Sequence, residues 1–191
     1  MDQLICHQSH QCNLPFLKSL SQDGSYCRAQ ALASAWTKPP LGFLKVNVDG
    51  AWSESLKSGE VGVVVRHEHG NFVAASTKTF EHVSSPLLIE AFAVREGLLL
   101  AVQWGLHNII IKSDSFQIVF ALQKGPLNSS LIGHIVEDSY AMIYVITRAS
   151  IIHTRHQHNE AVHCLARFAL TNPCEYLSKS LPTFSWMFYS L

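Results

Sequence analysis

Three acidic residues have surroundings that differ from those of ordinary surface carboxylates. Asp49 lies on the polar side of an alternating stretch, Glu90 lies among apolar residues, and Asp114 follows a short apolar run. A carboxylate that is withdrawn from water has to be paired, protonated or bound to a metal. If the three side chains converge, a divalent cation would supply the missing counter-charge, and oxygen ligands favour magnesium or manganese. Phosphoryl transfer is the chemistry that such carboxylate clusters serve.

Glu90 is the most informative of the three because it lies on the apolar side of a predicted helix. With about 100° of rotation per residue, the solvent-facing stripe of that helix consists of Arg95, Glu96 and Gln103. Glu90 falls more than roughly 100° away from both Arg95 and Glu96, among Leu, Ile, Ala and Phe side chains. The alternative is a first-turn glutamate that gains about 0.3–1 kcal/mol from the helix dipole. The sequence leaves these two interpretations open.

Asp49 and Asp114 also have ordinary alternatives. Asp49 precedes Gly50, and Asp-Gly pairs are common in tight turns. Asp114 directly precedes a predicted helix, where aspartate is a favoured N-cap. On the other hand, the sites of open α/β sheets lie at the carboxyl ends of strands, which is where Asp114 is found. Each residue alone is a weak signal, but together they predict three carboxylates that meet if their strands are neighbours.

The elements that would position these residues follow the order β-β-β-α-β-α-α-β-α. Alternating and β-branched patterns predict five strands, at 43–49, 61–66, 72–77, 109–111 and 145–153. Apolar periodicity and capping residues predict four helices, at 86–105, 116–123, 131–144 and 159–170. Ser85 followed by Pro86 is typical of a helix start, and the stretch 67–71 supplies a hairpin turn. We therefore predict an α/β fold with a mixed five-stranded sheet flanked by helices.

The length and composition indicate one domain with extra chain at both ends. The chain has 191 residues, of which 48% are hydrophobic and only 15% are charged, so it can bury a sizeable core. We place the domain at 39–172, a flexible leader or linker at 1–38 and an aromatic tail at 173–191. The 14 basic and 14 acidic residues cancel, which argues against a strongly basic protein that coats nucleic acid. A local basic groove remains compatible with this balance.

Cysteine usage and the N-terminal residues predict an intracellular protein. The five cysteines are scattered and include no CxxC pair, so no disulfide framework is recognisable and a reducing compartment is expected. The first residues lack the basic and apolar regions of a signal peptide, and the stretch 91–106 is too short and too charged to span a membrane. We expect no membrane partner, and nucleus and cytoplasm are not distinguished. Cys6, His7, His10 and Cys12 are zinc-ligand types, but their spacing is poor for a structural site.

The order and spacing of five motifs resemble the type-1 ribonuclease H family, most closely its plant members related to the reverse transcriptases of non-LTR retroelements. The motifs are Lys45-Val-Asn-Val-Asp-Gly-Ala51, Gly62-Val-Val-Val-Arg66 leading to Gly70, Ile89-Glu-Ala91, Ile111-Lys-Ser-Asp-Ser115, and the stretch from His153 to Ala169. Their order and spacing together are much more specific than any single motif. The resemblance implies a ribonuclease H-like fold and an endonuclease that hydrolyses the RNA strand of RNA–DNA hybrids.

The resemblance also implies roles for individual residues. Asp49, Glu90 and Asp114 would be the first three metal-binding carboxylates, and His163 would occupy the position of the fourth ligand. His153 would lie on a mobile loop that assists protonation or product release. The cofactor would be two magnesium ions, with manganese as a substitute. One ion would activate a water and the other would stabilise the leaving 3′-oxygen.

The last motif departs from the family pattern at two positions. Bacterial-type enzymes would have a glycine where this sequence has Arg155 and an aspartate where it has His163, although a histidine there resembles the plant group. A neutral imidazole holds magnesium less well than a carboxylate does, so we expect a weakened second metal site or a preference for manganese. Two alternatives stay open. Either the fourth ligand is lost, or the group His153, His156, His158 and His163 binds zinc.

The sequence offers few basic residues for contacts with nucleic acid. The stretch 116–144 contains a single basic residue, although proteins that bind hybrids need basic groups to contact phosphates. We expect Asn159, Arg155 and Lys112 to contribute these contacts in a monomeric protein whose partner is an RNA–DNA hybrid. The alternative function is a domesticated domain that has lost catalysis and binds nucleic acid or a protein.

Overall fold

The computed structural model describes residues 37–125 and 130–172, together with the backbone of 176–178. Six strands are present in this part of the chain: β1 (Leu44–Ser53), β2 (Ser58–Arg66), β3 (Phe72–Phe80), β4 (Ile109–Ser113), β5 (Ala149–His153) and β6 (Tyr176–Ser178). The helices are α1 (Pro86–Gln103), α2 (Phe116–Lys124), α3 (Leu131–Val145) and α4 (Glu160–Thr171), with a 3-10 helix at His156–His158. The cysteine–histidine cluster predicted in the leader and the aromatic cluster of the tail lie outside the described residues.

The strands form one mixed sheet in the order β5-β4-β1-β2-β3-β6. β1, β2 and β3 are antiparallel neighbours, whereas β4 runs parallel to β1 and β5 runs parallel to β4. The predicted α/β class, the five strands and their order among the four helices are confirmed. β6 is an addition that pairs antiparallel with β3 and belongs to the segment 173–191. The division of the chain into leader, domain and tail stays a prediction.

The predicted strand at 145–153 is too long at its start. Val145 is the last residue of α3, and the Ile146 N–H still donates to the Met142 carbonyl at 3.2 Å. Strand β5 begins only at Ala149. An apolar, β-branched sequence fits either a strand or a helix end, and only the hydrogen bonds distinguish the two.

Helix α1 covers one face of the sheet and forms the main core with it. Ser85 caps the start of the helix by accepting a hydrogen bond from the Leu88 N–H at 3.3 Å, and Pro86 follows it, as predicted. The helix lies close to β1 because Gly97 has no side chain, since a Cβ there would lie 2.6 Å from Val48 Cγ1. This close approach brings the start of α1 next to the middle of β1.

One residue of the predicted solvent-facing stripe of α1 is buried. Glu96 is 8% exposed, and its Oε2 accepts a hydrogen bond from Lys78 Nζ of β3 at 3.0 Å. Arg95 Nη1 lies 3.6 Å from the other carboxylate oxygen. The prediction was wrong because the periodicity of one helix carries no information about a lysine that reaches across from a neighbouring strand.

Helix α4 packs on the opposite face of the sheet and forms a second, smaller core. Val64 of β2 and Ala75 of β3 contact Val162 and Leu165 of the helix there. Gly62 permits this approach, because a Cβ on it would lie 3.0 Å from the Val162 carbonyl oxygen. The sheet therefore lies between α1 and α4, and side chains from both helices can meet near the centre of β1.

Two structural features concern the cysteines and the predicted absence of a membrane span. Cys164, in α4, is disulfide-bonded, whereas the scattered cysteines were expected to be reduced. The four other cysteines lie outside the described residues, and pairing depends on distance in space, which sequence spacing does not show. Among the described helices, none combines the length and the apolar character needed to cross a membrane.

Candidate active site

Asp49 lies in the middle of β1 and not in a turn. The strand continues through Gly50 to Ser53 in unbroken register with β2, so the Asp-Gly turn interpretation is wrong. Alternation along the strand turns Val48 toward α1 and Asp49 toward α4. The Asp49 side chain is only 3% exposed. A carboxylate buried at the centre of a sheet requires compensation from its neighbours.

Asp114 follows directly after β4 and lies beside Asp49. β1 and β4 are parallel with Asn47 opposite Lys112, and the same register continued by two residues places Asp49 opposite Asp114. The N-cap of α2 is Ser115, so the N-cap interpretation of Asp114 is wrong. One oxygen of each carboxyl group lies within 4.8 Å of the other. Two carboxylates this close repel each other when both are ionised and no cation is bound.

Glu90 reaches the same point from α1. It is the fifth residue of the helix, whose first turn contains no acidic residue, so the dipole interpretation is wrong. Gly50 permits the approach, because a Cβ on it would lie 2.9 Å from the backbone carbonyl of Ile89. The Gly50 backbone also lowers the pKa of Glu90 and of Asp49, against the larger opposite effect of burial. The glycine that lets the helix approach therefore also favours the ionised form of two of the three carboxyl groups.

The three carboxyl groups form a candidate metal site. Asp49, Glu90 and Asp114 each offer an oxygen, and these atoms all lie within 4.8 Å of one another. Glu90 Oε2 is buried, and no protein group hydrogen-bonds to it in the described part of the chain. A buried carboxylate oxygen that lacks a donor fits a cation, which would replace the missing hydrogen bond. The ligand atoms are all carboxylate oxygens, a set that suits hard ions such as magnesium and manganese.

The pKa values of the cluster also indicate that its carboxylates need a positive charge. Burial and then the charges of Asp49 and Asp114 raise the pKa of Glu90 to about 9. Burial and the neighbouring Asp114 carboxylate raise the pKa of Asp49 well above its ordinary value. Ionising Glu90 and Asp49 is therefore costly while no cation is bound. A divalent cation would offset this cost by supplying the opposite charge.

In the absence of divalent cations, the folded protein is expected to lose stability as the pH rises toward 9. The raised pKa of Glu90 means that the folded state holds this proton more tightly than the unfolded chain does. Its contribution is complete below the ordinary pKa of 4.5 and is lost as the pH rises through about 9. Glu90→Gln removes the group and should raise the free energy of unfolding near neutral pH in EDTA by on the order of 2 kcal/mol.

Urea unfolding at several pH values measures this effect. The control is Glu81→Gln, which removes an exposed carboxylate and should leave the pH dependence as it is in the unsubstituted protein. If Glu90→Gln and Glu81→Gln showed the same slope of stability against pH, the buried carboxylate cluster would not be the source of the pH dependence.

His163 contacts Asp49 from α4. Its Nδ1 lies 2.8 Å from Asp49 Oδ2, which is the spacing of an ion pair. Burial and then the charge of Arg167 lower the pKa of His163, so the contact is a hydrogen bond between a neutral imidazole and the Asp49 carboxyl group. His163 is not one of the three residues whose ligand atoms lie within 4.8 Å of one another. Its role as a fourth metal ligand stays a prediction.

Two further imidazoles contact Asp114. His156, on the 3-10 helix, places Nδ1 2.7 Å from Asp114 Oδ2, and its ring lies 4.4 Å from the ring of His163. His153 places Nε2 3.2 Å from the backbone carbonyl of Asp114. We expected His153 on a mobile loop, but it is the last residue of β5, where the parallel register pairs it with Ser113. His156, for which only the zinc alternative was considered, is the histidine that reaches the Asp114 carboxylate.

Asn159 holds the start of α4 against β1. Its Nδ2 donates to the Val48 carbonyl at 2.9 Å, and its Oδ1 accepts from Asn47 Nδ2 at 2.8 Å. The residue is 1% exposed. The prediction that Asn159 contacts nucleic acid is not supported by this position, because a buried amide cannot touch a phosphate. Its influence on the site is indirect, since α4 carries His163 one turn further along.

Asn159→Ala is expected to lower the free energy of unfolding by about 2–4 kcal/mol. The substitution leaves the Val48 carbonyl and the Asn47 amide buried without their partner, and each such group costs about 1–3 kcal/mol. Urea unfolding measures the loss. Gln157→Ala, at an exposed neighbouring position, is the control and should change stability by less than about 0.5 kcal/mol. Equal losses from the two substitutions would contradict the structural role of Asn159.

The basic residues beside the carboxylates lie on the α4 face of the sheet. Lys112 is half-buried two residues before Asp114, and burial lowers its pKa. Lys45 and Arg66 are paired across β1 and β2; burial and then the charges of Lys112 and Arg66 lower the pKa of Lys45 to about 8. Arg155 is exposed just before the 3-10 helix. Contacts of Lys112 and Arg155 with nucleic acid stay predictions.

Two features of the site were missed from the sequence. One is the contact of His156 with Asp114, which depends on a 3-10 turn that the spacing alone did not predict. The other is the exposed pair Phe116 and Phe120 at the start of α2, two residues after Asp114. The second could have been found by asking which apolar residues of that helix fall outside its buried stripe.

A mixed sheet between α1 and α4, with three carboxyl groups where β1, β4 and α1 meet, defines a ribonuclease H-like domain. Residues 47–169 match the family described as reverse transcriptase-like, and the chain belongs to this family. None of the curated protein sequences matches the chain.

Several solved ribonuclease H structures have the same fold. RNase H1 from the halophilic archaeon Halobacterium salinarum NRC-1 superposes with a TM-score of 0.63 and 22% identity, over 68% of this chain and 98% of that protein. LC11-RNase H1 in complex with an RNA/DNA hybrid gives 0.61 and 15%, over 68% and 97%. The N-terminal RNase H domain of Rv2228c from Mycobacterium tuberculosis gives 0.61 and 17%, over 68% and 94%. At these identities the likeness concerns the fold alone.

Proposed function

We propose that this protein hydrolyses the RNA strand of RNA–DNA hybrids, with two divalent cations, magnesium or manganese, as cofactors. The observation that carries the proposal is the group of three carboxyl groups whose oxygens lie within 4.8 Å of one another, one of them buried without a donor. The ribonuclease H-like fold supports the proposal. The likeness to an RNase H1 solved in complex with an RNA/DNA hybrid supports the choice of substrate.

The residues of the chain have two tasks in this proposal: to bind the cations and to orient the ligands. Asp49, Glu90 and Asp114 bind through their carboxylate oxygens. His163 Nδ1 orients Asp49 and His156 Nδ1 orients Asp114, each through one hydrogen bond. Partners of this kind fix the direction of a ligating carboxylate, and removing one typically lowers metal affinity or activity by about 10–100-fold.

Divalent cations bound at the carboxylates would activate a water and stabilise the leaving 3′-oxygen. His153 is suited to move the proton that the leaving oxygen needs. Its Nε2 donates to the Asp114 carbonyl, so Nδ1 is the ring atom that can exchange a proton with the substrate. The side chain is exposed at the edge of the site, where it can recover the proton from solvent.

A second candidate function is a domain that has lost catalysis and binds nucleic acid or a protein. One observation favours it: His163, whose pKa is lowered by burial, lies against Asp49 at the position where the family resemblance implies a fourth carboxylate. A site with three carboxylates instead of four holds its cations with less charge. If catalysis persists, we expect it to be faster in manganese than in magnesium, because manganese accepts imidazole more readily.

The proposal is tested by incubating the full chain with an end-labelled RNA–DNA hybrid in magnesium, manganese or EDTA. RNA duplex, DNA duplex and single-stranded RNA of the same sequence are the substrate controls. The expected result is cleavage of the RNA strand of the hybrid alone, faster in manganese and absent in EDTA. Equal cleavage of every RNA substrate would contradict the proposed specificity. Hybrid binding by folded protein with no cleavage in either cation would favour the second candidate.

A further inference from the structure

An exposed aromatic strip begins at the edge of the candidate active site. It consists of Phe116, Phe120 and Lys124, which lie one turn apart on the outer side of α2. Phe116 is 63% exposed and Phe120 is 42% exposed. Single apolar side chains are normal on a surface, but two adjacent exposed phenylalanines form a patch that favours a ligand.

The rings of the aromatic strip are held in a defined arrangement. The ring centroids of Phe116 and Phe120 are 5.9 Å apart, with an angle of 28° between the planes. The His153 ring meets Phe116 edge-on, at 5.7 Å and 85°. Lys124 Nζ lies 5.9 Å from the ring centroid of Phe120. The aromatic strip therefore has a histidine of the site at one end and a cation at the other.

We propose that the aromatic strip stacks the unpaired bases of a single-stranded nucleic acid that continues from the duplex held at the carboxylates. This inference rests on the proposed function, because it takes nucleic acid as the ligand of the neighbouring site. Every base has an apolar face that stacks on an aromatic ring with little regard to sequence. A pair of adjacent rings followed by a lysine suits successive bases and the phosphate that follows them.

Two observations favour a nucleic-acid strand over an apolar protein surface as the occupant. The first is continuity, because Phe116 is only two residues from Asp114 and its ring contacts His153, which itself contacts Asp114. The second is charge, because α2 contains no acidic residue and ends in Lys124. An anionic strand that leaves the carboxylate site therefore meets rings and a cation along this helix and no opposing carboxylate.

The experiment compares a blunt RNA–DNA hybrid with the same hybrid carrying a single-stranded extension, in separate DNA and RNA versions. Binding of the full chain is followed by fluorescence anisotropy in calcium, and a fluorescent adenine analogue in the extension reports stacking. The expected result is tighter binding of the extended hybrid, with quenching of the analogue. Phe116→Ala and Phe120→Ala should each weaken the binding of the extended hybrid by roughly 5- to 50-fold and leave the blunt hybrid unchanged.

Two further variants at Phe116 separate stacking from general apolar contact. Phe116→Trp keeps an aromatic face and should retain the preference for the extension, whereas Phe116→Leu keeps apolar area without a ring and should lose it. Tyr144→Ala, which removes an exposed aromatic side chain from α3, is the control and should change nothing. If Phe116→Leu bound as well as the unsubstituted protein, stacking would be the wrong mechanism.

The remaining outcomes distinguish this inference from the proposed function. If the blunt hybrid is cleaved and the extension adds no affinity, the aromatic strip is not a binding surface although the enzyme proposal stands. If the hybrid is neither bound nor cleaved but an isolated single strand binds in a Phe116-dependent way, the strip is supported and the enzyme proposal fails. Self-association that Phe116→Ala abolishes, seen by sedimentation without any effect of single strands, would overturn the inference in favour of a second copy.

Discussion

Asp49→Asn is expected to lower the rate of RNA-strand cleavage by at least roughly 10³-fold, which corresponds to about 4 kcal/mol of lost transition-state stabilisation. Asparagine keeps the shape of the side chain and its contact with His163 but loses the negative charge that a cation requires. The loss should be similar in magnesium and in manganese, because both ions need this ligand. Single-turnover cleavage of an end-labelled hybrid measures the effect.

The same substitution should not destabilise the protein, which separates a chemical loss from unfolding. Burial and Asp114 raise the pKa of Asp49, so its contribution to stability is complete at acidic pH and is lost as the pH rises. Asparagine does not ionise, so it avoids the cost of a buried negative charge. Asp49→Asn should therefore be at least as stable as the unsubstituted protein at neutral pH in EDTA. Asp138→Asn, at an exposed site on α3, is the matched control for activity. If Asp49→Asn cleaved the RNA strand as fast as the unsubstituted protein, Asp49 would not be a ligand of the cations.

His163→Asp is expected to raise magnesium-dependent cleavage by roughly 10-fold, because a carboxylate that can bind the cation directly replaces an imidazole that only orients Asp49. The substitution adds a fourth carboxylate beside Asp49, where the imidazole now lies 2.8 Å away. Added negative charge strengthens the binding of a hard cation but increases repulsion when the site is empty. His163→Asp should therefore be less stable than the unsubstituted protein in EDTA and should regain stability when magnesium is added.

Calorimetric titration of magnesium into both proteins measures the binding that underlies this prediction. His163→Asn is the informative control, because it replaces the imidazole by a polar side chain without adding charge and should show no gain. His107→Asp adds a carboxylate at an exposed position before β4 and should also show none. If His163→Asp bound magnesium no more tightly than His163→Asn, the position would not be that of a ligand.

Most of the fold could be predicted from local patterns in the sequence. Ser85 and Pro86 predict the start of α1, because helix capping depends on adjacent residues. The alternation around Val46 and Val48 similarly predicts β1. The burial of a charged residue is harder to predict. Whether Glu96 of α1 is exposed depends on Lys78, which lies in β3 and is distant in sequence. The end of α3 was missed for the opposite reason, since its local sequence fits two structures equally well.

The three carboxylates of the candidate site were predicted, but the geometry that brings them together was not. Asp49, Glu90 and Asp114 were identified from unusual placements, and their convergence depends on the β1–β4 register and on the close approach at Gly50. Asn159 was expected to contact nucleic acid because its burial was not foreseen. The burial results from the packing of α4 on β1, which the local sequence does not show. His156 and the aromatic strip were missed because their importance depends on contacts between residues that are distant in sequence. His156 contacts Asp114, and Phe116 of the strip contacts His153.

In the proposed function, the cations held by the carboxylate cluster, and not the surrounding imidazoles, drive the cleavage. The most direct test is to determine the end groups of the RNA fragments released from a hybrid. We expect 3′-hydroxyl and 5′-phosphate ends, formed in magnesium or manganese and not in EDTA, because an activated water attacks and the 3′-oxygen leaves. Fragments with 2′,3′-cyclic phosphate ends that also form in EDTA would contradict it, because they would show that histidines act on the 2′-hydroxyl without any cation.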